Sequence, residues 1–224
     1  DTRQKRDSIT QEIERVAKEQ QDQMEAFLKS YSDSDVAPFF IEVNMLRMMS
    51  LEQIAAFYDR FTNRVKQTEK GKEMGERIAQ LKRLAPGSPA PEFELTTPDG
   101  KKLALKDLRG HIVLIDFWAS WCGPCMDEMP NVKAIYEKYH ARGLEIVGVS
   151  MDNNKSNWEK AIERAGLTWH HVSSLKGMNR CPVAKLYQVV AIPKLYIIGK
   201  DGKIIAKDLR GEELREKIDE LFEE

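Results

Sequence analysis

Two cysteines separated by two residues, Cys122-Gly123-Pro124-Cys125, are the side chains of this sequence best suited to covalent chemistry. At that spacing two thiols can close and reopen a disulfide, or they can supply half of a tetrahedral zinc site. Zinc would need two more ligands, for which Cys181 with His170 or His171 are the candidates. A haem attached through CxxCH is excluded, because Met126 follows Cys125. Asp116 stands six positions before Cys122 in an otherwise apolar run. A carboxylate there is expected to be desolvated, which raises its pKa and lets it exchange protons near neutrality. The alternative is a structural Asp116, turned towards a buried water or a backbone donor. Glu128, three residues after Cys125, lies one helical turn along from it, where an exposed helix carboxylate is the plain alternative. Cys181 is left over, as a regulatory thiol or a buried small hydrophobe.

The elements that must position these groups can be read around them. Ile112 to Ile115 is a continuous apolar run, and a strand over 111–117 covered on both faces is expected. A helix to about Tyr139 follows, with Cys122 exposed at its N-terminus, where the helix dipole favours a thiolate. Pro124 fits the first turn, and Pro130 is expected to kink the helix. Leu144–Ser150 reads as a second buried strand, followed by a helix around Trp158 to Ala165, so the sheet is expected to be parallel there. A short strand near Trp169 to Val172, a helical turn at Pro182 to Tyr187 and a closing helix from Glu212 to Phe222 complete the pattern. Lys194–Ile198 and Lys203–Ala206 flank Lys200-Asp201-Gly202 as a hairpin. Upstream, Phe93 to Leu95 and Leu103 to Leu105 flank Pro98-Asp99-Gly100 as another.

Residues 85–91, Ala-Pro-Gly-Ser-Pro-Ala-Pro, mark a domain boundary, because three prolines cannot continue a helix and favour extended, semi-rigid chain. The expected domains are therefore 1–84 and 85–224. The first reads as helical. Ile9, Ile13, Val16, Met24 and Phe27 recur at helical spacing with Gln20 in the intervening place, and Ser32 to Asp35 break the pattern. Phe39, Phe40, Val43 and Leu46 are expected on the core face of a second helix. Ser50 and Gln53 form a capping box before Ile54, Phe57 and Phe61, and Met74, Ile78 and Leu81 mark a last amphipathic stretch. No nucleophile or metal-ligand group is apparent in this region, which could offer a partner or dimer surface. Formal net charge is −1, with 15 basic and 15 acidic residues before position 85 and 20 and 21 after it. Neither part has the basic excess of a nucleic-acid binder. No apolar run approaches the roughly 20 residues of a membrane span. The start, DTRQKRDSIT, has no initiator Met and no signal peptide and reads as a mature or trimmed chain, so membrane attachment is expected only through an anchor outside it.

The stretch WASWCGPCMDEMP, with the strand before it, resembles a thioredoxin-fold active site and is most similar to those of the TlpA-like bacterial thiol–disulfide oxidoreductases. The resemblance covers the region after the prolines, about 60% of the chain. It implies an α/β, thioredoxin-like fold with an added N-terminal β-hairpin, preceded here by the α-helical segment. Trp118, Trp121 and Pro124 around the cysteines favour redox chemistry over zinc. Cys122 is then the nucleophile and Cys125 the resolving thiol, with no metal and no organic cofactor. Asp116 stands at the offset of a proposed proton relay in thioredoxins, and Glu128 where the family often has an acid/base glutamate. Trp121, Ile192 and Pro193 are implied to dock substrate, with Pro193 as the cis-proline; Lys194 departs from the commoner Thr or His after it. The implied partners are a disulfide-containing protein substrate and an upstream dithiol donor, in an extracytoplasmic, periplasmic setting. A peroxiredoxin-like peroxidase shares the added hairpin but needs Thr or Ser three residues before its attacking cysteine, where Ala119 stands. A non-enzymatic binding module on the same platform is the other alternative.

Overall fold

The run Ile112–Trp118 forms β3, and every residue along it is buried. In the computed structural model, which describes residues 12, 15–16, 18–19, 22–27, 29–44 and 51–223, this strand sits inside a sheet of seven strands. On one side β3 pairs in parallel with β4, Leu144–Ser150; on the other it pairs antiparallel with β6, Lys194–Ile198. A strand with neighbours on both edges and helices on its faces has no solvent side, so its sequence reads as an unbroken apolar run. The full order is β2-β1-β5-β4-β3-β6-β7, with β1 at Glu94–Thr96, β2 at Lys102–Ala104, β5 at His170–Ser173 and β7 at Ile204–Lys207. β1 and β2 are the added hairpin, joined antiparallel in the register Leu95 to Leu103. Its inner strand β1 docks antiparallel on β5 through Thr96 and Ser173, which leaves β2 at the edge of the sheet.

The chain divides into two compact units, residues 1–82 and 83–224. In the first, residues 22–27 and 29–31 are helical, followed by α1 (Ala37–Asn44), α2 (Leu51–Asp59), α3 (Asn63–Gln67) and α4 (Glu69–Arg83). Met24, Ala37, Ile41, Ile54, Phe57, Phe61, Val65, Met74 and Ile78 form its core. α1 turns a different face inward from the one its aromatic residues suggest. Ala37 and Ile41, one turn apart, are buried, while Phe39, Phe40 and Val43 are exposed. The helix is apolar on several sides, so periodicity alone could not select its inner face. Phe40 stacks on Phe27 at 4.8 Å between ring centres, and that pair lies at the margin of the core. Ile9, Ile13, Gln20, Leu46 and the Ser50 half of the expected capping box lie outside the described residues.

In the second unit α5 (Gly123–Tyr139) follows β3 and runs on through Pro130. α6 (Lys155–Ala165), the short α7 (Pro182–Leu186) and α8 (Gly211–Glu223) complete it. The proline-rich stretch is not a free spacer. Gly87 donates its N–H to the Ile204 carbonyl, Ile204 donates to Ser88, Ala90 donates to Gly202, and Pro89 bridges Lys203. These residues pair with the start of β7 and the turn before it, satisfying the outward-facing backbone groups of Ile204. Leu84, just ahead of them, belongs to the same core as β3.

Residues 83–224 are expected to fold without the helical unit. A chain starting at 85 is expected to lose about 1.5–3 kcal/mol relative to one starting at 83, the worth of burying one leucine. Urea unfolding of the two fragments measures this. Equal stability would mean that Leu84 contributes nothing to the second core, and failure of both to fold would make the helices part of its folding unit.

Candidate active site

α5 starts five residues beyond the end of β3, and the connecting loop delivers Cys122 as the N-cap of the helix. The Cys122 backbone is extended (φ −87°, ψ 98°), and its Sγ accepts the Cys125 N–H at 3.2 Å. Its carbonyl takes the first intrahelical bond, from Met126 N–H at 3.1 Å. Pro124 in the first turn gives up an N–H that would have had no helical partner. Cys122 and Cys125 are joined as a disulfide, with their Cα atoms 5.3 Å apart.

Solvent reaches this pair less than its helix-terminal position suggests. Cys122 is 5% exposed and Cys125 1%, whereas Trp121 is 60% exposed. The expected exposure of Cys122 is therefore corrected. The thiol packs into the main core, and the indole beside it is what faces water. Position at the N-cap separates the two sulfurs more clearly than burial does.

Asp116 is buried in β3, in register with Gly148 of β4 and Leu195 of β6. Burial first and the charge of Glu128 second push its carboxyl up to about 7, against the opposing charge of Arg210. Glu128 is not an exposed helix carboxylate. Its Oε1 accepts the Asn131 side-chain amide at 2.6 Å and the Gly211 N–H at 2.8 Å, at the start of α8. Asn131 also donates to the Gly211 carbonyl, which fixes α5 against α8. Arg210, one residue earlier, donates to the Pro193 carbonyl at 2.5 Å.

The link from β7 to α8 therefore connects three groups that are far apart in sequence: Asp116, Glu128 and Pro193. The Ile192–Pro193 peptide is cis, with Pro193 buried and Ile192 half-buried. Lys194 donates to Asp208 at 2.6 Å, so its charge is neutralised within the chain.

Three residues at or beside the site were not singled out from sequence. Arg210 and Gly211 carry no motif and act only through the fold. Asp152, two residues past β4, accepts hydrogen bonds from both the backbone and the hydroxyl of Ser120, on the loop that leads to Cys122. A polar Ser-Met-Asp closing the apolar run of β4 was the available signal, since ligand and catalytic groups gather beyond the carboxyl ends of parallel strands.

The other cysteine and the two histidines of the zinc alternative make separate contacts. Cys181 is buried as the N-cap of α7, its Sγ accepting Ala184 N–H at 3.5 Å. His170 Nε2 lies 3.2 Å from Glu145. His171 packs between Trp118 and Trp169, where burial pushes its pKa down to about 3. Among the described residues no group of three or more metal-ligating side chains converges.

Residues 86–207 match the AhpC/TSA family. The thiol-disulfide oxidoreductase ResA of Bacillus thuringiensis is 35% identical over 136 residues, which cover 61% of this chain and 76% of that protein. ResA of Geobacillus thermodenitrificans is 36% identical over 140 residues, covering 62% and 78%. Among solved structures, the thioredoxin domain of a thiol-disulfide oxidoreductase from Bacteroides vulgatus superposes with a TM-score of 0.59 at 34% identity, covering 62% of this chain and 99% of that one. A thiol:disulfide interchange protein from a Bacteroides species gives 0.58 at 33%, covering 63% and 92%.

The raised pKa of Asp116 has a thermodynamic consequence. A carboxyl that titrates at about 7 when folded and at about 3.9 when unfolded contributes stability that is fully present below the unfolded value. That contribution is lost as pH rises through the folded one. Asp116→Asn is expected to match the wild type near pH 4 and to exceed it at pH 8, by up to on the order of 4 kcal/mol. Urea melts of the oxidised protein across this range test it. A gain that is the same at every pH would show that ionisation of Asp116 is not the cause.

Proposed function

The chain belongs to the AhpC/TSA family and is a thiol–disulfide oxidoreductase of thioredoxin-like fold, and from that premise we propose that it reduces disulfides in other proteins through Cys122 and Cys125. The observation that carries this reading is the CxxC pair seated on a helix N-terminus, which follows a strand whose one carboxyl, Asp116, has its pKa raised to about 7 chiefly by burial. The Cys122 thiolate attacks one sulfur of a substrate disulfide. A mixed disulfide forms and the other substrate thiolate leaves. Cys125 then gives up its proton to Asp116, whose affinity for it is raised by Glu128 and lowered by Arg210. Its thiolate attacks Cys122 Sγ, and the second substrate thiolate departs. The pair ends as the Cys122–Cys125 disulfide, two electrons having passed to the substrate. An upstream dithiol restores it by the same exchange in reverse.

The reaction needs no metal and no organic cofactor. Trp121 offers an exposed apolar surface beside the nucleophile, and we assign docking of the substrate chain to it together with Ile192 and the cis-Pro193. We place this activity outside the cytoplasm, where protein disulfides form and persist. Among the described residues no helix is long and apolar enough to cross a membrane. The peroxidase alternative is disfavoured because Ala119 has no hydroxyl to assist attack on a peroxide. The binding-module alternative leaves an intact redox pair without a use.

An insulin-reduction assay with a dithiol donor is the direct test. Cys122→Ser is expected to abolish turnover, and Cys125→Ser to allow one attack and accumulate mixed disulfides. Alkylation of the reduced protein at neutral pH should label Cys122 first, and prior labelling of Cys125 or Cys181 would overturn the assignment. Asp116→Asn is expected to slow release from the mixed disulfide roughly 10²-fold, more than its formation. Equal slowing of both half-reactions would leave Asp116 with a structural role alone.

A further inference from the structure

The loop between β3 and α5 is anchored by a side chain that the exchange chemistry does not use. Asp152 is buried just beyond β4, and its two carboxylate oxygens are shared among three donors. Oδ2 accepts Ser120 N–H at 3.0 Å, and Oδ1 accepts Ser120 Oγ at 2.6 Å. Oδ2 also accepts Ser150 Oγ at 2.8 Å, which in turn accepts the Asp152 N–H at 3.0 Å. The Ser150 carbonyl receives Ser173 Oγ from β5 at 3.0 Å. Alongside, Met151 donates to the Trp118 carbonyl at 2.8 Å, continuing the pairing of β3 and β4 one residue past the end of β4. Ser120 is thus gripped at backbone and side chain by an element thirty-two residues away, and Cys122 is only two residues further on.

We propose that Asp152 is a positioning residue, one that clamps the Ala119–Cys122 loop to the end of β4 and so biases the cysteine pair towards the disulfide, keeping the dithiol a strong reductant. The inference deepens the reading of Cys122 and Cys125 as the redox pair and rests on it. Two physical effects act in the same direction. With Ser120 fixed, the Cys122 backbone has little freedom, so its sulfur stays near Cys125 and closing the ring costs little entropy. A buried carboxylate near the loop also disfavours the Cys122 thiolate, the species that stabilises the reduced form. Loosening the loop or removing the charge should each move the equilibrium towards the dithiol.

Equilibrating the full chain with a glutathione redox buffer tests the clamp directly. Asp152→Asn removes the charge and one acceptor, while Ser120→Ala keeps the charge and removes only the hydroxyl bond. Both are expected to shift the equilibrium towards the dithiol, Asp152→Asn by about tenfold, equivalent to about 30 mV for a two-electron couple. Ser120 is half-buried on a loop, so its alanine variant provides the decision if Asp152→Asn does not fold. Thermal melts of both redox forms accompany the titration. Lower melting temperatures with the equilibrium unchanged, within about twofold, would make Asp152 merely structural and overturn the proposal. A shift towards the disulfide would overturn it equally. Wild-type insulin reduction is measured in parallel. Its absence would remove the reductase reading, whereas the clamp is judged on the cysteine equilibrium alone.

Discussion

The burial of β3 along its whole length is the constraint from which the rest of the site follows. Paired on both edges and covered on both faces, Ile112–Trp118 has no route to solvent for any side chain, including the carboxyl of Asp116. The apolar residues gain roughly 25 cal/mol for each Å² removed from water, and their sum tolerates one ionisable group in the row. That group then meets a low dielectric, the largest cause of the rise of its pKa to about 7. The same strand ends four residues short of Cys122, so its fixed position sets where the thiol emerges.

Around this strand the site is assembled by short connections rather than by one contiguous motif. The β7–α8 link brings Arg210 to the Pro193 carbonyl and Gly211 to Glu128, and the end of β4 brings Asp152 to Ser120. Each joins residues between 17 and 83 positions apart. The pKa of Asp116 is consequently a balance, with burial and Glu128 pushing the carboxyl up and Arg210 pulling it down. Lys194 takes no part in it, because Asp208 neutralises its charge.

The helical unit contrasts with this arrangement. Its core is small, and α1 leaves Phe39 and Val43 facing outward beside the buried Ala37 and Ile41. Ion pairs such as Arg64 with Asp33 and Asp35 lie on its exposed surface, where such contacts contribute little. Its stability therefore comes mainly from the Ile54, Phe57, Phe61, Val65 and Met74 cluster.

Local sequence determined the second unit nearly element by element. A short apolar run bounded by turn residues fits a buried strand, a Pro two residues after Cys122 fits the first turn of a helix, and the Asp-Gly turns of both hairpins match the positive φ seen at Gly100 and Gly202. The redox pair and the odd carboxyl of β3 were legible for the same reason, since their signals lie within a few residues of one another. Tertiary structure alone decided the inner face of α1, because its apolar residues surround the helix and only packing partners can choose among them. It alone decided that Cys122 is covered and Trp121 is not, that the proline-rich stretch pairs with the start of β7, and that Arg210, Gly211 and Asp152 bond to residues at or beside the cysteine pair. These outcomes depend on contacts between residues remote in the chain, and spacing along a sequence carries no information about distance across a sheet.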